Sequence, residues 1–331
     1  MSALPQKQTL PSAVAMSALA KSGHWSALTH CENFKIMPLA REGRSVAIGA
    51  PSDPAQGQLM DNPIYALGHS EEELERLRVQ SRFVEPITRQ FFQEAGISAG
   101  MRVLDFGSGA GDVAFLTADL VGETGEVIGT DKAPAALARA KQRAAVKGLH
   151  NVSFRAGDPM ELAFDRPFDA VVGRYVLLFQ ADPAGMLRAL MKQHLRPGGL
   201  IVFQEPDWTN VRSFPPAPIY DQCCRWIVEA FREVGSDTNA ANNLYAAFAG
   251  AGLPSPRMRM QTFVGGTAGC TDWLQVVAGL AASLLPMMEQ LGIATAADLE
   301  IATLTQRLQK EVAASEHMII GRSEIVAWSR L

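Results

Sequence analysis

The stretch Val103-Leu104-Asp105-Phe106-Gly107-Ser108-Gly109-Ala110-Gly111-Asp112 decides the fold: an apolar run ends in a carboxylate and passes into three glycines at alternate positions. Glycine adopts backbone conformations closed to other residues, and without a Cβ it lets a ligand approach the main chain. The next residues, Val113-Ala114-Phe115-Leu116-Thr117, open a helix whose first amides lack partners and face that ligand. The spacing is G-x-G-x-G. A dinucleotide-binding G-x-G-x-x-G would need its third glycine where Asp112 stands, which argues against a pyrophosphate.

Working outward, the order of elements supports a nucleotide-like ligand. Glu126-Val127-Ile128-Gly129-Thr130-Asp131 is a second short apolar run ending in an acid, about 20 residues beyond the loop, where doubly wound folds present a carboxylate to ribose hydroxyls. Val152-Ser153-Phe154-Arg155-Ala156-Gly157-Asp158 is a third, and its acid is placed to accept from an adenine amino group. Phe168 to Tyr175 and Gly199 to Glu205 complete five buried strands separated by helical segments. Singly, each acid reads as a solvated loop residue or a helix cap. Three of them at strand ends in one register point to a ligand along the carboxyl edge of an open α/β sheet.

With these motifs in place the chain resembles the class I S-adenosylmethionine-dependent methyltransferases, with the ubiquinone/menaquinone C-methylase-like small-molecule enzymes as its nearest branch. The turn Leu195-Arg196-Pro197-Gly198-Gly199 matches a further motif of that family. The resemblance covers roughly residues 60 to 265 plus the last strand. It implies a Rossmann-like α/β fold: a seven-stranded, mostly parallel sheet with helices on both faces, N-terminal helices, and a helical lid before the last strand. It implies S-adenosyl-L-methionine as cofactor. The loop of Asp105, Gly107, Ser108, Gly109 and Gly111 would cradle the methionine part, Asp131 would hold the ribose and Asp158 would meet the adenine, with Lys132 and Pro159 as further cofactor-binding candidates. Arg174, after the fourth strand, would pair with the cofactor carboxylate or with a neighbouring acid.

Composition agrees with an enzyme of this type. The chain has 331 residues, 47% of them hydrophobic, enough for a large core. Its net charge is −4 and no basic run appears, which argues against nucleic acid as a partner. Four cysteines, Cys31, Cys223, Cys224 and Cys270, show no C-x-x-C spacing, so no metal site is implied and a reduced, cytoplasmic protein is expected. Adjacent Cys223 and Cys224 hint at thiol chemistry on a soft element such as arsenic; inside a helical run they read more simply as core packing. No stretch reads as a membrane span, and a homodimer is left open.

Residues 1–60 lack apolar periodicity and read as a poorly ordered extension, followed by a methyltransferase domain over 61–331 with cap insertions at about 206–237 and 268–316. Ser70-Glu71-Glu72-Glu73 is a capping box opening a helix that Pro86 would restart and Gly96 would end. Glu205 and Asp207 leave the fifth strand at its carboxyl edge, as candidate bases or as partners of a loop arginine such as Arg212. Trp208, Phe214 and Trp273 are the candidate acceptor-binding aromatics; the apolar stripe that Trp273 heads reads by default as core packing, and its place in an insertion before the last strand makes it a candidate lid. His194 reads as a C-terminal dipole partner of its helix. The expected reaction is in-line methyl transfer to a small, largely apolar or aromatic acceptor. The alternatives are a non-methylating reaction on the same fold and a non-catalytic cofactor sensor or partner-binding protein.

Overall fold

Val103 and Leu104 are both fully buried, yet they belong to different cores, because successive side chains of a strand point to opposite faces. The computed structural model describes residues 71–331 except 267, 268 and 315. The chain divides into two units, Met1–Gly57 and Gln58–Leu331, and everything below concerns the second. The expectation of a poorly ordered extension over residues 1–60 lies outside the described residues.

Strands β1 (Arg102–Phe106), β2 (Glu126–Asp131), β3 (Val152–Ala156), β4 (Phe168–Arg174) and β5 (Leu195–Asp207) pair in parallel in the order β3-β2-β1-β4-β5. The last strand, β8 (Met318–Arg330), runs antiparallel to β5 and is flanked on its other edge by β7 (Arg257–Gly265). A three-residue strand, β6 (Arg212–Phe214), pairs with the start of β8 and is an addition to the seven expected strands. It forms because β8 begins at Met318, ahead of the residues that pair with β5, leaving an edge beyond the end of β5.

Helices cover both faces. Val103, Val127, Val172, Val202 and Val326 pack with α1 (Glu71–Ala95), α2 (Asp112–Val121) and α3 (Pro134–Val146). Leu104, Ile128, Val171, Phe203 and Ala327 pack on the opposite face with α4 (Pro183–His194) and α6 (Ala240–Ala251). Helix α1 runs unbroken through Pro86, so the expected restart there does not occur. The Pro86 ring is exposed, and burial of Val84, Ile87 and Phe91 on the other face offsets the one lost backbone bond.

A third core lies where helices α5 (Pro218–Glu233), α7 (Thr271–Leu291), α8 (Ala296–Leu299) and α9 (Ile301–Ala314) pack with Ile319 of β8, burying Tyr220, Ile227, Trp273, Leu280, Leu284 and Leu308. Helix α7 is long and apolar enough to cross a membrane, but Trp273, Leu274, Val277, Leu280 and Leu284 are spent in this core.

Candidate functional site

The glycine loop joins β1 to α2 in the left-handed conformations its sequence implies. Gly107, Gly109 and Gly111 have φ of 69°, 51° and 91°. A Cβ on Gly107 would stand 2.9 Å from Val176 Cγ2, and one on Gly111 would stand 2.7 Å from Phe115 Cζ. The loop is tied down from outside by Arg143, which donates to the Ala110 carbonyl and to the Asp112 carboxylate, each at 2.7 Å. Asp112, which breaks the dinucleotide pattern, thus anchors the loop to α3. The Ser108 hydroxyl is buried beside Gly129 and has no hydrogen-bond partner among the described residues.

The three acids take up the expected strand ends. Asp131 accepts from the Gly109 and Ala133 amides, each at 2.8 Å, which couples the end of β2 to the glycine loop. Asp158 accepts from the Met160 amide at 2.9 Å and pairs with Lys132 Nζ at 2.8 Å. Asp105 is 1% exposed, and neither of its oxygens makes a hydrogen bond of normal geometry. Burial pushes its pKa well above the ordinary value, against the opposing field of Arg174. Arg174 itself donates to Thr88 Oγ1 at 3.0 Å and makes no ion pair among the described residues.

These residues surround a cavity of about 260 Å³. Of the expected cofactor set, Gly107, Asp131, Lys132, Asp158 and Pro159 line it; Asp105, Ser108, Gly109, Gly111 and Arg174 do not. Phe106, Met160, Tyr175, Val176, Phe179 and Met186 also line it. Sequence reasoning passed over these because apolar side chains in a wall look like any others in a core. His194 was read as a dipole partner, but it is 5% exposed and its Nε2 donates to the Pro159 carbonyl at 2.7 Å. Burial lowers its pKa, so the ring is held neutral and clamps the loop that forms the cavity floor.

The expected bases are corrected by their partners. Glu205 is fully buried, and its Oε1 accepts from the Val176 and Leu177 amides at 2.9 and 2.7 Å. It caps the turn Leu177–Phe179 behind the cavity wall and has no arginine partner. Burial pushes its pKa up to about 8. Asp207 Oδ1 accepts from the Thr209 amide and hydroxyl and from Asn242 Nδ2, at 3.0, 2.6 and 3.2 Å, pinning the turn after β5.

Tyr175, in the cavity wall, belongs to a buried polar cluster that the sequence did not reveal. Tyr175 donates its hydroxyl to Glu324 Oε1 at 2.8 Å and accepts from Arg322 at 2.7 Å. Arg322 Nε pairs with the same Glu324 oxygen at 2.9 Å, and Gln204 donates to the other at 2.9 Å. Burial raises the Tyr175 pKa, so its hydroxyl stays protonated and serves as donor.

Of the expected acceptor aromatics, the structure brings two together. Trp208 and Trp273 have ring centroids 5.8 Å apart. Trp273 is fully buried, and its indole donates to the Tyr220 hydroxyl at 2.8 Å, so it is a core residue and not a pocket wall. Helix α7 is correspondingly packed as core instead of spanning the site as a lid. Phe214 is 71% exposed on β6 and lines none of the described cavities. Trp208 lines a second, open cavity of about 720 Å³ beyond the end of β5, together with Arg212, Arg225, Arg232 and Asp221.

An open parallel sheet with a glycine loop after β1 and acids closing β2 and β3 defines a nucleotide-cofactor site of Rossmann type. The family described as "Methyltransferase domain" matches residues 97–249. The chain is 36% identical over 154 residues to the aklanonic acid methyltransferase DauC of Streptomyces sp., covering 46% of this chain and 68% of that protein. It is 33% identical over 136 residues to the demethylmenaquinone methyltransferase of Staphylococcus saprophyticus, covering 41% of this chain and 54% of that one. It is 35% identical over 136 residues to the 2-phytyl-1,4-naphtoquinone methyltransferase of Synechococcus elongatus, covering 40% and 56%. The match thus spans about half the length of the latter two. The chain belongs to the class I S-adenosylmethionine-dependent methyltransferases, in their ubiquinone/menaquinone C-methylase-like branch.

Proposed function

We propose that the protein methylates a small molecule carrying a quinone-like or phenolic ring system, using S-adenosylmethionine held in the 260 Å³ cavity. The observation that carries this reading is the coupling of Asp131 to Gly109: one carboxylate both braces the glycine loop and lines the cavity, where ribose hydroxyls need an acceptor. The cavity fits the cofactor in donor chemistry. Asp131 lines the cavity as the ribose candidate, Asp158 as the adenine candidate, and Met160, Phe179 and Met186 supply apolar walls for a flat base. Asp105 and Arg174 do not line this cavity, so in this reading the methionine part is met by the backbone of the glycine loop at Gly107.

When bound, the cofactor supplies an electrophilic methyl group on a positively charged sulfur. The protein contributes alignment and exclusion of water, which suffice where charge disperses during transfer. Glu205 and Asp207 hold turns and take no proton from the acceptor in this scheme. The acceptor enters at the 720 Å³ cavity beside Trp208, at the same carboxyl edge of the sheet. The edge of Trp208 lines it, and three arginines, Arg212, Arg225 and Arg232, set against Asp221 and Glu229 give it a polar, mixed-charge wall suited to an acceptor with polar ring substituents. The named acceptors of the relatives, aklanonic acid and naphthoquinone derivatives, are of this ring type. The buried cysteines have their pKa values raised by desolvation, which argues against thiolate chemistry.

The test is incubation of the purified chain with S-adenosylmethionine and a panel of hydroquinones, hydroxynaphthoquinones and hydroxyanthraquinone acids, read by mass spectrometry. A methylated product with stoichiometric S-adenosylhomocysteine is expected. Tight cofactor binding with no product from any ring acceptor would reject the acceptor class.

A further inference from the structure

We propose that His194 is a positioning residue for the adenine end of the cofactor: it fixes one peptide plane, and through that plane the carboxylate of Asp158. The inference rests on the proposed role of Asp158 as the adenine acceptor.

The chain of contacts is short. The peptide joining Pro159 to Met160 is planar, with its carbonyl and its amide pointing in opposite directions. On one side the Met160 amide donates to Asp158 Oδ1 at 2.9 Å; on the other the Pro159 carbonyl accepts from His194 Nε2 at 2.7 Å. A ring nitrogen facing a carbonyl carries the proton, so Nε2 is the donor. A rotation of the plane that releases His194 therefore also swings the amide away from Asp158. Gly157, Asp158, Pro159 and Met160 all line the cofactor cavity, so this plane is part of its floor.

Other groups hold Asp158 less firmly. Lys132 Nζ pairs with it at 2.8 Å, but the lysine side chain is 58% exposed, and an ion pair in water fixes little. Pro159 is buried, and among the described residues no backbone amide donates to its carbonyl, so His194 supplies the partner that a buried carbonyl needs. The imidazole is itself locked. Its ring meets those of Phe164 and Phe168 edge to face, with centroids 5.1 and 6.5 Å away. Phe168 stands opposite Leu195, the residue after His194, in the pairing of β4 with β5, so the sheet sets where the imidazole lies.

The consequence is base specificity. A carboxylate held in one place accepts from the 6-amino group of adenine and repels the 6-oxo group of hypoxanthine, whereas one on a loosened plane adjusts to either.

The experiment compares calorimetric affinities of the full chain for S-adenosylhomocysteine and S-inosylhomocysteine, whose bases are adenine and hypoxanthine. The wild type is expected to prefer the adenine ligand at least about tenfold. His194→Phe keeps a ring against Phe164 and Phe168 but removes the donor, and should cut that preference about fivefold, the worth of one hydrogen bond. His194→Gln, whose amide nitrogen lies as many bonds from Cβ as Nε2 does, should restore most of it. A merely structural role would lower both affinities together; an unchanged preference in His194→Phe, with or without such a loss, overturns the proposal. If His194→Phe does not fold, His194→Met, which fills the space without a donor, decides in its place. Wild-type protein that binds both ligands equally would overturn the role of Asp158 and this inference with it, and wild-type protein that binds neither would overturn the cofactor reading itself.

Discussion

The buried carboxylate of Glu205 accepts the Leu177 amide at 2.7 Å, joining the end of β5 to the turn that walls the cofactor cavity. Because burial raises its pKa from 4.5 to about 8, the folded protein retains a proton that the unfolded chain has released. Its contribution to stability is therefore complete below about pH 4.5 and declines as pH rises through about 8. Glu205→Gln keeps an acceptor for the two amides and cannot ionise. Thermal melts at several pH values should show the variant gaining on the wild type as pH increases; a constant difference between the two would contradict a raised carboxyl.

Asp131 serves the loop and, in the proposed function, the ribose. Asp131→Ala should weaken S-adenosylmethionine binding by about 1.5 to 3 kcal/mol, the range for a charge-assisted hydrogen bond. Asp131→Asn, which still accepts from one amide, should lose less. Calorimetric titration of both variants tests this, and equal affinity for Asp131→Ala and the wild type would remove Asp131 from the site.

Gly111→Ala should destabilise the fold as well as the site. Its φ is 91°, and the new methyl group would meet the rings of Phe115 and Phe154 at 2.7 and 3.1 Å. Overpacking of this kind costs about 1 to 3 kcal/mol. At Gly109 a Cβ would meet nothing within 4 Å, so Gly109→Ala carries only the backbone strain. Chemical denaturation should rank Gly111→Ala as the more damaging of the two.

Trp273→Ala should act on stability. It removes a fully buried indole bonded to Tyr220, a change that costs about 3 to 5 kcal/mol when a large aromatic is deleted from a core. Cofactor affinity measured well below the melting temperature should stay close to that of the wild type. Loss of affinity without loss of stability would restore Trp273 to the site.

A chain beginning at Met60 should keep both cofactor binding and melting temperature, since the preceding residues lack the apolar period needed to offset chain entropy. Comparison of the two lengths by calorimetry and thermal melting checks this directly.

What the sequence determined by itself is the sheet and its ligand edge. A strand buried on both faces needs a continuous apolar run, and a turn at positive φ needs glycine, so β1, β2, β4 and β5 and the loop from Gly107 to Gly111 are written in local residue types. The acids at Asp131 and Asp158 were legible for the same reason: the end of a parallel strand is a local feature. What only the tertiary structure decided are the partners. Glu205 looks like a free acid until Val176 and Leu177, far away in the chain, present their amides. Trp273 reads as lid or core alike until Tyr220 and Trp208 close around it. Tyr175, Arg322 and Glu324 carry no motif, because their meeting depends on β8 entering the sheet antiparallel beside β5, and long-range pairing leaves no local pattern.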